Sequence, residues 1–260
     1  LADQLAQLLA EAPLDVFARE LVVAPSAGVE RWLTQRLSHR LGATLGDDGV
    51  CAGLDVRTPH TFISLLLGRE NDDPWNPDRL AWAVLAAMDE CVSRSGFEAL
   101  ARHLGADAVR AGEDPWWHRA RQSRRYAVAR RVAGLFARYA DDRPELMRAW
   151  EAGRENDLVD PDLAWQAPLW RTVVERVLAC GSADASPVQR LDRTLADLRA
   201  GTAPSDLPER VSFFGYTRMP AAMLDLLEAL GQVCDVHVWL PHPSPALWAA
   251  LAENPQGIVA

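Results

Sequence analysis

Leu21-Val22-Val23-Ala24 runs directly into Pro25-Ser26-Ala27-Gly28, and Val29, Trp32, Leu33, Leu37 and Leu41 then recur at helical spacing. An apolar run rich in β-branched residues, a proline-serine break and a 3.6-residue period predict strand, turn and helix in that order. This junction constrains the fold more than any other stretch. A strand that feeds straight into a helix returns through a crossover, and the next strand then lies parallel to the first. Val50 to Val56 and the helical stretch Pro59 to Leu67 repeat the pattern, so the chain opens with two βα units of a parallel sheet. Leu1, Leu5, Leu8, Leu9 and Ala12 mark an amphipathic helix ahead of them, and residues 42–49 form a polar, glycine-rich turn between them.

From Asn71 to about Pro208 the strand pattern disappears. Asp73-Pro74-Trp75-Asn76-Pro77 carries helix-start chemistry, and Leu80, Ala83, Val84 and Ala87 follow at helical spacing. Further helices are expected at Phe97 to Leu104, Ala120 to Tyr139, Pro144 to Glu151, Trp165 to Leu178 and Pro187 to Leu198. Strands return at Val211 to Gly215 and Asp235 to Leu240, with helices at Pro220 to Leu230 and Ala246 to Leu251. The expected fold class is α/β: a parallel-sheet domain contributed by residues 1–70 and 206–260, interrupted by an all-helical insertion over 71–205. Two unrelated domains in series are the alternative arrangement.

A strand-turn-helix junction is also where nucleotide-binding proteins hold phosphate, on the unpaired N–H groups and the dipole of the helix N-terminus. The phosphate loop Gly-x-x-x-x-Gly-Lys-Ser/Thr needs its lysine, however, and this sequence of 260 residues has none: all 27 cationic side chains are arginines. The same absence argues against a nuclease of the Asp, Glu, Lys type. Ser26 lies in Pro-Ser-Ala-Gly and not in a nucleophile elbow, and its expected task is to cap the helix beginning at Gly28. Adjacent acids at Asp47-Asp48, Asp72-Asp73 and Asp141-Asp142 read as solvent-facing or capping residues. Cys51, Cys91, Cys180 and Cys234 are widely spaced and read as buried free thiols; the six histidines offer no zinc pattern. No catalytic constellation assembles, and no bound cofactor or metal is expected.

A net charge of −9 argues against a surface that coats DNA indiscriminately. No apolar run reaches membrane-spanning length and the start lacks a signal peptide's basic flank, so the cytoplasm is expected. The chain starts at Leu1, without methionine, and reads as part of a longer protein. Its charge is nevertheless unevenly spread. Between Pro115 and Ala140 stand seven arginines, Arg119, Arg121, Arg124, Arg125, Arg130, Arg131 and Arg138, and no acid. Val128, Val132, Leu135 and Tyr139 form the apparent apolar stripe, with Arg124, Arg131 and Arg138, seven residues apart, along its edge. Guanidinium groups beside aromatic residues suit a nucleic-acid groove; a solvated helix face paired with neighbouring acids is the plainer reading. Most of the ten tryptophans read as packing residues.

Five stretches stand in order along the chain: Leu21 to Leu33; Thr58 to Ile63; Arg143 to Gly153; Trp165 to Trp170; and Leu207 to Gly215 with Met219-Pro220. Together they resemble the N-terminal part of the RecC family, the gamma chain of exodeoxyribonuclease V, over essentially the whole chain. The resemblance implies a superfamily 1 helicase-like domain stripped of its ATPase motifs and carrying a helical insertion. It implies a subunit that lies between a helicase-nuclease (beta) chain and a helicase (alpha) chain, holds them together, helps split duplex DNA and guides single strands. One path would scan the 3′-ended strand for the Chi recombination signal, while ATP, Mg and DNA cleavage belong to the partners.

Matched by motif, the family's Chi-contacting positions fall on Pro25, Ala27, Arg31, Thr58, Ser64, Gly134, Leu135, Ala137 and Arg143. Leu135 and Arg143 keep the family residue. Pro25, Ala27, Gly134 and Ala137 are small or apolar where the family carries polar groups, so a different signal is expected. The DNA-binding set expected here is Arg31, Thr58, Ser64, Arg124, Arg131, Leu135, Arg138 and Arg143. The alternative is a protein–protein adaptor on a degenerate helicase fold, with no DNA contact in this stretch.

Overall fold

The β-branched runs form four strands, β1 (Glu20–Val23), β2 (Leu54–Arg57), β3 (Arg210–Phe214) and β4 (Asp235–Trp239), joined in one sheet of order β2-β1-β3-β4. Every pairing is parallel, and Val22 lies between Val56 of β2 and Ser212 of β3. The later strands therefore complete the sheet begun by the first two, and β1 and β3 occupy its buried centre. The structure is a computed structural model. It describes all residues except 13–14, 16–17, 42–48, 69–72, 107–115, 117–119, 121–122, 155–160, 203, 205–206, 242–243, 245, 247–248 and 251–260. Ten α-helices are described: α1 (Ala2–Glu11), α2 (Ala27–Ser38), α3 (Pro59–Leu66), α4 (Pro77–Cys91), α5 (Glu98–Leu104), α6 (Arg125–Asp142), α7 (Pro144–Glu151), α8 (Gln166–Ala179), α9 (Pro187–Arg199) and α10 (Ala221–Leu230). The turn expected at 42–49 and the helix at 246–251 lie largely outside the described residues.

Contacts divide the chain into two units, Leu1–Gly68 with Asp197–Ala260, and Arg69–Ala196. In the first, the alternation of β-strand side chains separates two apolar layers. Val22 and Phe214 pack with Leu5 of α1 and with Leu33 and Leu37 of α2. Phe213, one residue along, faces the other way and meets Phe62 of α3 edge-on at 5.4 Å. Arg210 and Glu20, both largely buried, form an ion pair between the starts of β3 and β1. The second strand begins later than the Val50 to Val56 reading. Gly53 has φ +74°, a left-handed conformation that interrupts extension, and its carbonyl accepts from Glu20 N–H just before the ladder begins.

Every regular element among the described residues of the second unit is a helix. Its core gathers Trp75, Met88, Phe136, Met147, Trp150 and Trp170, with α4 packed along α6 and α8. Phe136 meets Trp170 at 5.2 Å and Trp150 at 6.3 Å, both edge-to-face, the arrangement that ring quadrupoles favour. The buried face of α6 is Ala129, Val132, Ala133, Phe136 and Ala140. That face is turned about a quarter of a revolution from the Val128-Val132-Leu135-Tyr139 stripe read in the sequence. Three of its five residues are alanines, so apart from Val132 and Phe136 the face is marked by small side chains that a stripe of large apolar residues does not reveal.

The thiols depart from expectation too. Cys91 is buried, Cys51 and Cys234 are half-buried and Cys180 is exposed, all four being free. Burial pushes the Cys51 thiol up, and it pushes Cys234 up to about 11 with help from Asp235. No helix among the described residues is long and apolar enough to cross a membrane.

Candidate nucleic-acid interface

In an open parallel sheet, ligands collect outside the carboxyl ends of the strands, where neighbouring crossovers diverge. Here the divergence falls between β1 and β3. The loop after β1 enters α2 at Ser26, whose extended backbone and hydroxyl cap the helix by accepting from Val29 N–H at 3.4 Å. The loop after β3 comes close to the same turn. Gly215 has φ +80°, and a Cβ there would lie 3.8 Å from Val29 Cγ1. The end of β2 lies alongside, since Ala24 N–H donates to the Arg57 carbonyl. Pro25, Ala27 and Thr58, far apart in sequence, thus share one edge of the sheet.

Arg31 is exposed on α2 and lines an open cleft of about 670 Å³ with Ala27, Glu30, Thr34, Gln35, Ser38 and residues 49–51. Thr58 and Ser64 are engaged locally. Thr58 caps α3 in a reciprocal box, accepting from Thr61 N–H while its own N–H donates to Thr61 Oγ1. The Ser64 hydroxyl donates to the His60 carbonyl at 3.0 Å. Thr58→Ala is expected to lower stability by about 1 kcal/mol through loss of the cap. Thr58→Ser keeps the hydroxyl and should stay within about 0.5 kcal/mol. Urea melts compare the two; an equal loss in both would assign the effect to the γ-methyl.

Just past β3, the buried Tyr216 hydroxyl has no hydrogen-bond partner among the described residues, and burial pushes its pKa up to about 12. It stays protonated near neutral pH. No group of three or more His, Cys, Asp or Glu that could hold a metal ion occurs among the described residues.

In the helical unit the arginines of α6 sort into two sets. Arg125 pairs with Asp89 at 3.0 Å and Arg130 with Asp78 at 3.2 Å, both acids lying on α4. Arg124, Arg131 and Arg138 are exposed, and among the described residues none of them has an acidic partner. Arg138 bends back to the Gly134 carbonyl through Nε at 3.4 Å. At 100° per residue these three lie across the helix from its buried face, and so project outward instead of flanking the core. The plainer sequence reading, a helix face paired with neighbouring acids, therefore holds for Arg125 and Arg130, while Arg124, Arg131 and Arg138 stand as exposed cations. Leu135 is half-buried next to the outward row, and exposed Arg143 occupies the joint between α6 and α7. Arg119 and Arg121 lie outside the described residues.

Two aromatic residues that the sequence did not single out are exposed on the same unit. Trp82 of α4 is 62% exposed and Tyr126 of α6 is 44% exposed. Their rings lie 5.1 Å apart. The signal was available for Trp82, which falls on the opposite side of α4 from Leu80, Ala83, Val84 and Ala87.

The family model described as RecC, N-terminal domain, matches residues 1–257. The chain is 49% identical to the RecBCD enzyme subunit RecC of Mycobacterium tuberculosis over 253 residues, covering 97% of this chain and 22% of that protein. It is 46% identical to the protein of the same name from Mycolicibacterium smegmatis over 255 residues, covering 98% of this chain and 21% of the relative. Against the Escherichia coli protein of that name the identity is 26% over 247 residues, covering 92% and 20%. The chain thus spans about a fifth of the length of these relatives.

Proposed function

The chain belongs to the RecC family, in the region of its N-terminal domain, and on that premise we propose that it is a non-catalytic, DNA-guiding and scaffolding part of a RecBCD-type helicase-nuclease. It serves double-strand break repair by homologous recombination in the cytoplasm, channelling the 3′-ended strand and scanning it for a Chi-like signal. ATP, Mg and strand cleavage are the work of the helicase-nuclease and helicase partner subunits. A parallel sheet whose strand-turn-helix junction lacks the phosphate-loop lysine supports a helicase-like domain without ATPase motifs.

The observation that carries this reading is the outward row Arg124, Arg131 and Arg138. In a chain of net charge −9, acids are plentiful, and those of α4 neutralise Arg125 and Arg130. Three guanidinium groups left without acids on one ridge are suited to phosphates, with Arg143 beyond them. Arg31 offers a cation on the sheet-bearing unit. Where Pro25, Ala27, Gly134 and Ala137 replace polar residues, base contacts each worth about 1–3 kcal/mol of discrimination are lost. The strand path is retained on this account, while the signal read along it differs.

The test uses the full-length protein assembled with both partner subunits and a photoreactive single strand. Adducts on α2 and α6 are expected. Replacing Arg124, Arg131 and Arg138 together by glutamine should reduce the salt dependence of single-strand binding by roughly 2 in log–log slope, about 0.7 per phosphate contact. No adduct between Gly28 and Arg143, with an unchanged slope, would favour the adaptor reading.

A further inference from the structure

The α4–α6 seam carries a three-rung ladder across two antiparallel neighbours. At one end Asp78 of α4 meets Arg130 of α6 at 3.2 Å; at the other, Asp89 meets Arg125 at 3.0 Å. Between them Trp82 and Tyr126 contact at 5.1 Å with their planes tilted by 42°. The aromatic rung is the most exposed part of the seam that is apolar, with Trp82 at 62% and Tyr126 at 44%.

The chemistry of the flanks decides what such a platform takes. A nucleic-acid platform combines stacking rings with uncompensated cations. Here each arginine beside the rings is already matched by a carboxylate, and a phosphate arriving at this seam would meet Asp78 and Asp89 as well. The uncompensated arginines of α6 lie on its outward ridge at Arg124, Arg131 and Arg138, a different face. Large, amphipathic rings bounded by balanced charge are instead the composition of a protein–protein contact, in which tryptophan, tyrosine and arginine dominate the energy and surrounding polar groups exclude water. The curated relatives are named as subunits of a multi-subunit enzyme.

We infer that the Trp82–Tyr126 seam is a docking site for another protein subunit, with an apolar side chain of the partner seated on the two rings and polar groups engaging the flanking ion pairs. Helix α6 then works on two faces, one toward a strand of DNA and one toward protein. The inference rests on the proposed function, since it requires a multi-subunit assembly.

Hydroxyl-radical footprinting tests it, read at Trp82 and Tyr126 in the full-length protein alone, in the complex with both partner subunits, and in that complex with forked DNA. The expected result is protection that appears on assembly, before DNA is added. In parallel, Trp82→Ala with Tyr126→Ala should weaken assembly about thirtyfold or more. Protection already complete in the free protein would overturn the inference by assigning the cover to its own chain. Protection only with DNA would overturn it in favour of base stacking, and none in any state would overturn it outright. Failure of the wild-type protein to assemble with the partners would refute the proposed function itself, a separate result visible before any footprint is read.

Discussion

Replacing Arg190 by alanine is expected to destabilise the helical unit by about 3–5 kcal/mol, the range for breaking a buried ion pair from one side. Only 8% of the Arg190 side chain and 18% of the Asp73 side chain are exposed, and the guanidinium grips both carboxylate oxygens, at 2.7 and 3.2 Å. Asp73 also accepts from Trp75 N–H at 3.1 Å, which sets the chain direction just before α4. Trp75 then enters the core, 5.6 Å from Trp170, and donates through Nε1 to the Ala185 carbonyl at 3.1 Å. Losing the guanidinium strands a buried carboxylate at the point where α9 is tied to the entry of α4. The measurement is urea unfolding of the 260-residue chain. Arg190→Ala together with Asp73→Asn removes the uncompensated charge and should be milder than the sum of the single changes. A loss under about 1 kcal/mol for Arg190→Ala would show that water reaches Asp73 and that the pair is not a structural fastening.

What could be read from the sequence follows from how local each signal is. Strands β1, β3 and β4 were legible because their β-branched and aromatic runs sit between turn residues. The parallel sheet followed from the alternation of strands with helices. The start of β2 is not legible in the sequence because Gly53 takes a left-handed conformation that no neighbour announces. The buried face of α6 lies one-quarter turn from the expected stripe because three of its five residues are Ala129, Ala133 and Ala140, which a search for large apolar residues passes over. A loop position beside a second acid suggests a capping or solvent-facing role for Asp73. It does cap Trp75, but its ion partner stands 117 positions away, so burial could not be foreseen.

The candidate site shows the same limit. The seven-residue spacing of Arg124, Arg131 and Arg138 placed them on one face, and that face points outward. Spacing alone could not tell which arginines of the cluster would be neutralised, because Asp78 and Asp89 belong to another helix. Thr58 and Ser64 entered through the family resemblance, and the structure gives both hydroxyls local hydrogen bonds within α3 or its cap.

Glu151→Ala should cost about 2–6 kcal/mol, because it leaves two donors without partners and each such group costs roughly 1–3 kcal/mol when buried. Glu151 accepts from Trp170 Nε1 at 3.1 Å and from Ser186 Oγ at 2.9 Å. Ser186 in turn accepts from Gln189 N–H at 3.3 Å while Gln189 Oε1 accepts from Ser186 N–H, a reciprocal cap on α9. One carboxylate thereby ties the end of α7 to the core of α8 and to the cap of α9, whose next turn carries Arg190. Burial raises the Glu151 pKa above the ordinary range, more than the hydrogen bonds from Ser186 and Trp170 lower it; Asp192 adds to the rise and Arg148 opposes it. A carboxyl whose folded pKa is raised contributes stability that is fully present below its unfolded pKa and is lost as pH rises through the folded pKa. The wild-type chain should therefore lose this contribution between the ordinary glutamate range and the raised value. Glu151→Gln, which still offers an oxygen to Trp170, should remove that pH dependence while sparing most of the stability. The check is urea melts of wild type and both variants across that interval. A glutamine variant as unstable as the alanine one, or a wild-type stability that rises through the window relative to the glutamine variant, would show that the charged carboxylate itself holds α7, α8 and α9 together.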